Sequence, residues 1–479
     1  MGILRASLIA TGASRGILSE ARLDHEPKGA TASGGHPPLP PQPPGASTAA
    51  HGGILLRMMH CHFRGRVPAV FAILTVLAPP LRAGDSAIRD GDTVVFLGDS
   101  ITAARTYGKI IENYTLLRFP DRRVRFVNAG WGGDTAAGGL ARLNRDVLDR
   151  GATLVTVAYG INDIGWGMRA DAEHRQRYLD AVRGIVERCR ARGVRAYICS
   201  AAITAEDPDQ AETGFLQKMC DDGLAVARAA GGSVIDVQRT MRRIQRRLIE
   251  ANARLSPGQK KESLHAEDGV HLNEYGQIAM AFAILKGLGA PADVSSVEID
   301  ARGPELITAA GCSVERLTRE GDRIEFTRRD SGLPLNLGLV GLLSYRFIPI
   351  PDELNRYMLT VRGLPDGPYE IIVNGRTLGT FESRQLADGV NLCSATPDPW
   401  VPGGPWDAQA TVLRNLTDAR HENALGHLHI DLYLAGWPGI DGLRSGSAEI
   451  DRQIVQMQRA VARPVPYRYV LRPTTRPAR

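Results

Sequence analysis

Long apolar runs are scarce in this chain of 479 residues. The one that stands out, Val67 to Ala78, is too short for a comfortable membrane span, so no stable span is expected. Cysteine is sparse and scattered. Of six, Cys61 lies near the N-terminus, and Cys189, Cys199, Cys220, Cys312 and Cys393 show no CxxC spacing. Neither a disulfide framework nor a zinc site is indicated, and most of these thiols are expected to be small buried hydrophobes. Excess charge is lacking as well. The formal net charge is +6, yet residues 1–83 hold eight basic against three acidic side chains, leaving 50 against 49 in the rest. A near-neutral body offers no polycation to phosphate backbones or anionic lipid, so no nucleic acid is expected as a partner. There is no internal repeat at solenoid periods.

What is present begins with a leader. Residues 1–57 are rich in Gly, Ala, Pro and Ser, include "GGHPPLPPQPPGAS", and cannot bury enough apolar surface to fold. They read as a disordered extension. Residues 58–83 have the layout of a signal peptide: Arg64 and Arg66 as a positive n-region, Val67 to Ala78 as the apolar h-region, and Leu81-Arg82-Ala83 as a small-residue exit. This predicts a secreted or periplasmic protein with a mature N-terminus near Gly84, and it points to Met58 or Met59 as the start. An uncleaved anchor is the alternative.

From residue 93 to about 290, strand-like runs alternate with amphipathic helices. The runs are "TVVFLGDS", "VRFVNAG", "ATLVTVAYG", "VRAYICSAA" and "GGSVIDV". Helical stretches cover 172–192, 215–230 and 237–254. Near-continuous apolar strands separated by helices imply a parallel sheet covered on both faces. In the basic helix over 237–254, Met241, Ile244 and Leu248 recur at helical spacing, so its arginines read as a solvated face. The first folded domain is therefore placed at 84–290. Beyond it, "PYEIIVNGRTLGTFES" is a hairpin turning at Asn374-Gly375, "GHLHIDLYLAG" reads as a further strand, and "SAEIDRQIVQMQRAVAR" as a closing helix. A second, β-rich domain with a C-terminal helix is expected over 297–479. His427 and His429 would alternate on one strand face, but without a Cys or carboxylate cluster nearby they are read as ordinary residues, and no metal or cofactor is expected.

Four short stretches fall at strand ends or helix starts of the first domain. They are "GDSIT" with Ser100, "NAGWGGDTAAGGLARL" with Gly133, "YGINDIG" with Asn162, and "DGVHLNEYGQIAMA" with Asp268 and His271. Taken singly, Gly-Asp-Ser is ordinary turn chemistry and Asn162-Asp163 an ordinary loop cap. Together they hold the parts that ester hydrolysis needs. A serine hydroxyl must give its proton to a base, and histidine suits that work near neutrality. A carboxylate must hold the imidazole, and Asp268 stands three residues before His271. A developing oxyanion needs fixed donors, which the Ser100 and Gly133 amides and the Asn162 side chain would supply. Trp131 and Trp166 flank the two oxyanion loops, where they would either line an acyl or sugar pocket or pack in the core.

These stretches resemble the blocks of the SGNH, or GDSL-type, hydrolase superfamily. Ser100, Gly133, Asn162 and His271 stand at its four name-giving positions, and Asp268 at its Asp-x-x-His, over roughly residues 93 to 290. Ile161 stands where some members carry a second glycine. The resemblance implies a flavodoxin-like three-layer α/β/α sandwich with a shallow, exposed site. It implies a serine esterase in which Ser100, Asp268 and His271 are catalytic and Ser100, Gly133 and Asn162 form the oxyanion hole. A short-chain or carbohydrate O-acetyl ester is the expected substrate. The rivals are a lysophospholipase or other lipid esterase, and a non-catalytic glycan- or surface-binding protein on a hydrolase fold.

Overall fold

Strand β1 (Thr93–Gly98) sends alternate side chains into two apolar layers. Val94 and Phe96 join one buried cluster, Val95 and Leu97 the other. A strand that is apolar on both sides must be covered on both sides. In the computed structural model, which describes residues 86–398 and 400–475, that covering is complete. The chain runs β1, α1 (Ser100–Ala103), α2 (Thr106–Arg118), β2 (Arg125–Gly130), α3 (Ala136–Asp146), β3 (Leu154–Ala158), α4 (Ala172–Ala191), β4 (Arg195–Cys199), α5 (Pro208–Ala211), α6 (Phe215–Ala229), β5 (Ser233–Ile235), α7 (Val237–Ala253) and α8 (Glu274–Gly287). The five strands pair in parallel in the order β2-β1-β3-β4-β5, the flavodoxin-like arrangement. Ile111 of α2, Met241 of α7 and Ile278 of α8 pack on one face, and Leu143 of α3, Ile185 of α4 and Leu224 of α6 on the other. The result is a three-layer α/β/α sandwich.

The rest of the chain is rich in β structure. It continues β6 (Asp293–Asp300), β7 (Glu305–Ala310), β8 (Cys312–Glu320), β9 (Arg323–Asp330), α9 (Gly338–Ser344), α10 (Ile350–Glu353), β10 (Arg356–Arg362), β11 (Pro368–Val373), β12 (Arg376–Glu382), α11 (Ser383–Asp388), β13 (Val390–Asn391), α12 (Pro405–Tyr433), α13 (Ile440–Val461) and β14 (Tyr467–Pro473). One mixed sheet has the order β13-β10-β6-β7 and one antiparallel sheet the order β12-β11-β14-β9-β8. Asn374 and Gly375 turn the β11–β12 hairpin as expected. The apolar cluster that covers α8 continues without a break through Ile299, Phe326, Tyr357 and Tyr469, so the described residues form one compact unit. The extension at 1–57, the leader at 58–83 and the N-terminus expected near Gly84 lie outside the described residues.

Three sequence expectations need correction. The stretch "GHLHIDLYLAG" is not a strand, because Gly426 to Tyr433 are the last turns of α12. Its local alternation is embedded in a longer helical repeat of buried Trp406, Ala410, Leu413, Thr417 and His421, and the longer period wins. The helix α13 does not close the fold. The chain returns as β14, whose buried Tyr467, Tyr469 and Leu471 fill the middle of the antiparallel sheet. The arginines of α7 are not simply solvated. Met241, Ile244 and Leu248 are buried as expected, but Arg242 is buried with them against Gln217. Arg239 pairs with Asp221 at 2.7 Å and Asp236 at 2.8 Å, and Arg246 with Asp209 at 2.7 Å and Glu212 at 2.6 Å. The five described cysteines are free thiols, four of them buried.

Candidate active site

The chain leaves β1 at Gly98 and enters α1 within two residues, which leaves Ser100 at the first position of a helix. Asp99 caps that helix, its Oδ1 accepting from the Ile101 amide at 3.0 Å. The turn closes only without a side chain at Gly98. A Cβ there would stand 2.1 Å from Thr102 Oγ1 and 2.8 Å from the Ala158 carbonyl oxygen. Amides of a first helical turn have no acceptor within the helix, so the Ser100 N–H is one that an incoming group can use.

Ser100 Oγ lies 2.9 Å from His271 Nε2, and His271 Nδ1 lies 2.5 Å from Asp268 Oδ2. The other oxygen of Asp268 accepts from the Val270 and His271 amides at 2.9 and 2.8 Å, so the turn that separates the two residues also fixes the carboxylate. The hydrogen bond from His271, followed by that from the Val270 amide, holds the Asp268 carboxyl down at about 2. It is therefore ionised at any pH near neutrality, which favours a proton on Nδ1 and leaves Nε2 to accept from serine. Both side chains are open to solvent, at 37% for His271 and 36% for Asp268.

Gly133 and Asn162 meet beside this chain. Gly133 has φ 71°, a left-handed conformation that favours glycine, in the turn that follows β2. The Asn162 Nδ2 donates to the carbonyl of the next residue, Asp134, at 3.0 Å, which ties the two loops together. The Trp166 Nε1 donates to Asn162 Oδ1 at 2.9 Å, and its ring stands edge-on to His271 at 5.5 Å between centroids. With its oxygen engaged by the indole, the amide can present only its N–H groups elsewhere. Trp166 itself adopts φ 57° between Gly165 and Gly167, a conformation costly for a bulky residue and held here by its surroundings. Neither tryptophan is a core residue, since Trp131 is 42% and Trp166 46% exposed.

Several residues that frame the site escaped sequence reasoning. Arg142 donates to Asp134 Oδ2 at 2.8 Å, to the Ala129 carbonyl at 2.8 Å, to the Gly98 carbonyl at 3.1 Å and to Tyr159 OH at 2.8 Å. One guanidinium thus binds the ends of β1, β2 and β3. Tyr159 completes the network by donating to Asp134 Oδ2 at 3.0 Å. Asp163 accepts from the Ala136 amide at 3.0 Å at the start of α3, and burial pushes its carboxyl up to about 7, with that amide opposing. Asp99 is likewise raised by burial, to about 6, against the Ile101 amide. Asp99 and Asp163 adjoin motif residues, so their neighbours could have flagged them. Nothing local marks Arg142. Among the described residues no group of three or more His, Cys, Asp and Glu side chains is arranged to hold a metal ion. No described helix is long and apolar enough to cross a membrane.

All five motif residues are thus gathered at the carboxyl ends of the parallel strands, where open α/β sheets place their ligands. Residues 96–278 match the sequence profile described as the GDSL-like Lipase/Acylhydrolase family. Among solved structures, BT4096, a gut microbial diltiazem-metabolizing enzyme, is similar with a TM-score of 0.70 and 21% identity, covering 82% of this chain and 99% of its own. That likeness is one of fold, and at that coverage it extends past the parallel sheet. LAE5, an alpha/beta hydrolase from the metagenome of Lake Arreo, Spain, has a TM-score of 0.36 and 23% identity over 43% of this chain and 98% of its own. A variant of Axe2, an acetyl xylan esterase from Geobacillus stearothermophilus, has a TM-score of 0.36 and 20% identity over 42% and 97%. No curated protein sequence matches.

Proposed function

We propose that this chain, an ester-hydrolysing enzyme whose residues 96–278 form a GDSL-like lipase/acylhydrolase domain, works through an acyl-enzyme on Ser100 and releases short acyl groups, acetyl on a carbohydrate above all. What carries the reading is the unbroken hydrogen-bonded chain from Ser100 through His271 to Asp268. Ser100 Oγ attacks the ester carbonyl as its proton passes to His271 Nε2. Asp268, ionised and fixed by backbone amides, stabilises the imidazolium that forms. The tetrahedral oxyanion rests on the Ser100 and Gly133 amides and the Asn162 side chain. Collapse expels the alkoxide, which takes the proton back from His271 Nε2 and leaves as the alcohol. Water then attacks the acyl-serine as His271 takes its proton, the acyl–Oγ bond breaks with that proton returned to Ser100 Oγ, and the carboxylic acid departs.

The choice of a short acyl group rests on the shape of the site. The His271 and Asp268 side chains reach solvent directly, and Trp131 and Trp166 stand exposed at its borders as flat apolar surfaces of the kind that sugar rings stack on. Rates on p-nitrophenyl esters from acetyl to lauryl, run beside acetylated polysaccharides, test the reading. Acetyl should give the highest kcat/KM, with acetate released from the polysaccharide. A maximum at the longest chains would make the enzyme a lipid esterase, and no turnover of any ester would favour a binding protein. Export through the leader at 58–83 belongs to the same proposal. N-terminal sequencing of the native protein should begin near Gly84, and finding residues 60–80 still attached would make that segment an anchor.

A further inference from the structure

Beside the site lies a cavity of about 320 Å³. Its floor is β2, the edge strand of the parallel sheet, with the residues that follow it. Its opposite wall is the α12–α13 hairpin, through Asn423, His427 and Ser447. Trp131 belongs both to this cavity and to the turn that carries Gly133, and its amide donates to the Gly98 carbonyl at 3.0 Å, two residues before Ser100. The cavity and the ester site therefore share a border.

The charges that line it are unbalanced. Its acids are already engaged: Asp146 by Arg142 at 3.0 Å and Arg145 at 2.7 Å, Asp431 by Arg444 at 2.8 Å, and Asp451 by Arg420 at 3.2 Å. Arg105, Arg125 and Arg150 also line it, and among the described residues no carboxylate stands within ion-pair distance of any of them. Arg105 is the most constrained of the three. It sits at the turn between the helix that carries Ser100 and α2, at φ 67°, a left-handed conformation that a long side chain adopts at a cost. It is half-buried, and burial holds its pKa below the usual arginine value, with Glu422 opposing. A guanidinium held partly out of water with an acid acting on it only at longer range, Glu422, and none in ion-pair contact is costly, and an arriving oxyanion lowers that cost with charge-assisted hydrogen bonds.

We infer that this cavity is a substrate subsite for an oxyanion substituent, a carboxylate or a sulfate, carried on the same saccharide as the ester. The enzyme would then act on acetylated acidic polysaccharides in preference to neutral ones. This rests on the esterase reading given above and adds the charge of the substrate to it.

The test compares acetate release from acetylated polygalacturonate, an acetylated sulfated glycan and acetylated xylan, each as a ratio to kcat/KM on p-nitrophenyl acetate. The wild type should favour one anionic polymer over xylan, and which one identifies the substituent. In Arg105→Gln and Arg125→Gln that preference ratio should fall about tenfold through KM, and 0.5 M NaCl should do the same to the wild type. Equal ratios for xylan and both anionic polymers, or variants that lose neutral and anionic substrates alike, would overturn the inference while leaving the esterase standing. If p-nitrophenyl acetate is not turned over, the esterase reading fails on its own. Calorimetric titration with unesterified oligogalacturonate and with a sulfated oligosaccharide then decides the subsite. Binding weakened in both variants supports it, and no binding of either anion removes it.

Discussion

His271 and His421 each hydrogen-bond a carboxylate, Asp268 at 2.5 Å and Glu112 at 3.1 Å, yet their surroundings are opposite. His271 meets its acid through Nδ1, keeps Nε2 for Ser100 Oγ and stands half in solvent. His421 meets its acid through Nε2, its Nδ1 is buried without a partner, and only 4% of the side chain is exposed. Glu112 is occupied from every side, by Arg420 at 2.8 Å and 2.9 Å and by Gln458 at 3.0 Å. Burial would raise its carboxyl, but Arg420 and His421 outweigh that and hold it below its usual value. One pair has its second nitrogen at a serine hydroxyl and a route for water. The other has neither, and it serves to fasten α12 to α2. Residue type does not separate the two; the partner of the second nitrogen does.

The largest expected effects should therefore split cleanly. His271→Ala should lower kcat by roughly 10⁴- to 10⁶-fold with the denaturation midpoint almost unchanged, since it removes the proposed base from an exposed site. Glu112→Ala should do the reverse. It leaves His421 buried without its carboxylate partner and Arg420 with only Asp451 at 3.2 Å, which costs about 3–5 kcal/mol of stability in denaturant unfolding, while kcat per folded molecule stays near wild type. A variant of Glu112 that loses activity faster than fold would break the contrast.

Smaller effects sharpen it. Asn162→Ala should cost roughly 10²- to 10³-fold in kcat with KM nearly unchanged, because in the proposed mechanism the amide donates mainly to the tetrahedral oxyanion. Labelling of Ser100 by a fluorophosphonate should slow but persist. Trp166→Phe keeps the ring beside His271 and deletes the indole donor that fixes the Asn162 oxygen, so kcat should fall about three- to tenfold at constant KM. Equal losses in kcat and in thermal stability would instead make Trp166 a packing residue.

The contrast can also be read from pH. Glu112 titrates below its usual 4.5 in the folded protein, so its contribution to stability is present above pH 4.5 and is lost as pH falls below it. Unfolding free energies of wild type and Glu112→Ala should differ by a constant amount above that pH and converge in more acidic buffer. A difference that does not change with pH would show that Glu112 acts through packing alone.

Near-continuous apolar runs separated by helices predict five parallel strands with helices on both faces, because burial on two sides writes itself into every residue of a strand. The Asn374-Gly375 hairpin and the stretches around Ser100, Gly133, Asn162 and His271 were legible for the same reason: each is a local device whose geometry a few adjacent residues dictate. The helix at 405–433 was misread in part, since eight residues of alternation are compatible with either period and only the buried face against α2 selects one. Solvent exposure of the two tryptophans, the bond from Trp166 to Asn162, and the bracing of three strand ends by Arg142 left no trace in spacing. Glu112 and Arg420 stand 308 positions apart. Whether such side chains meet depends on the packing of whole elements, and pairing at that range is fixed only when the chain has folded.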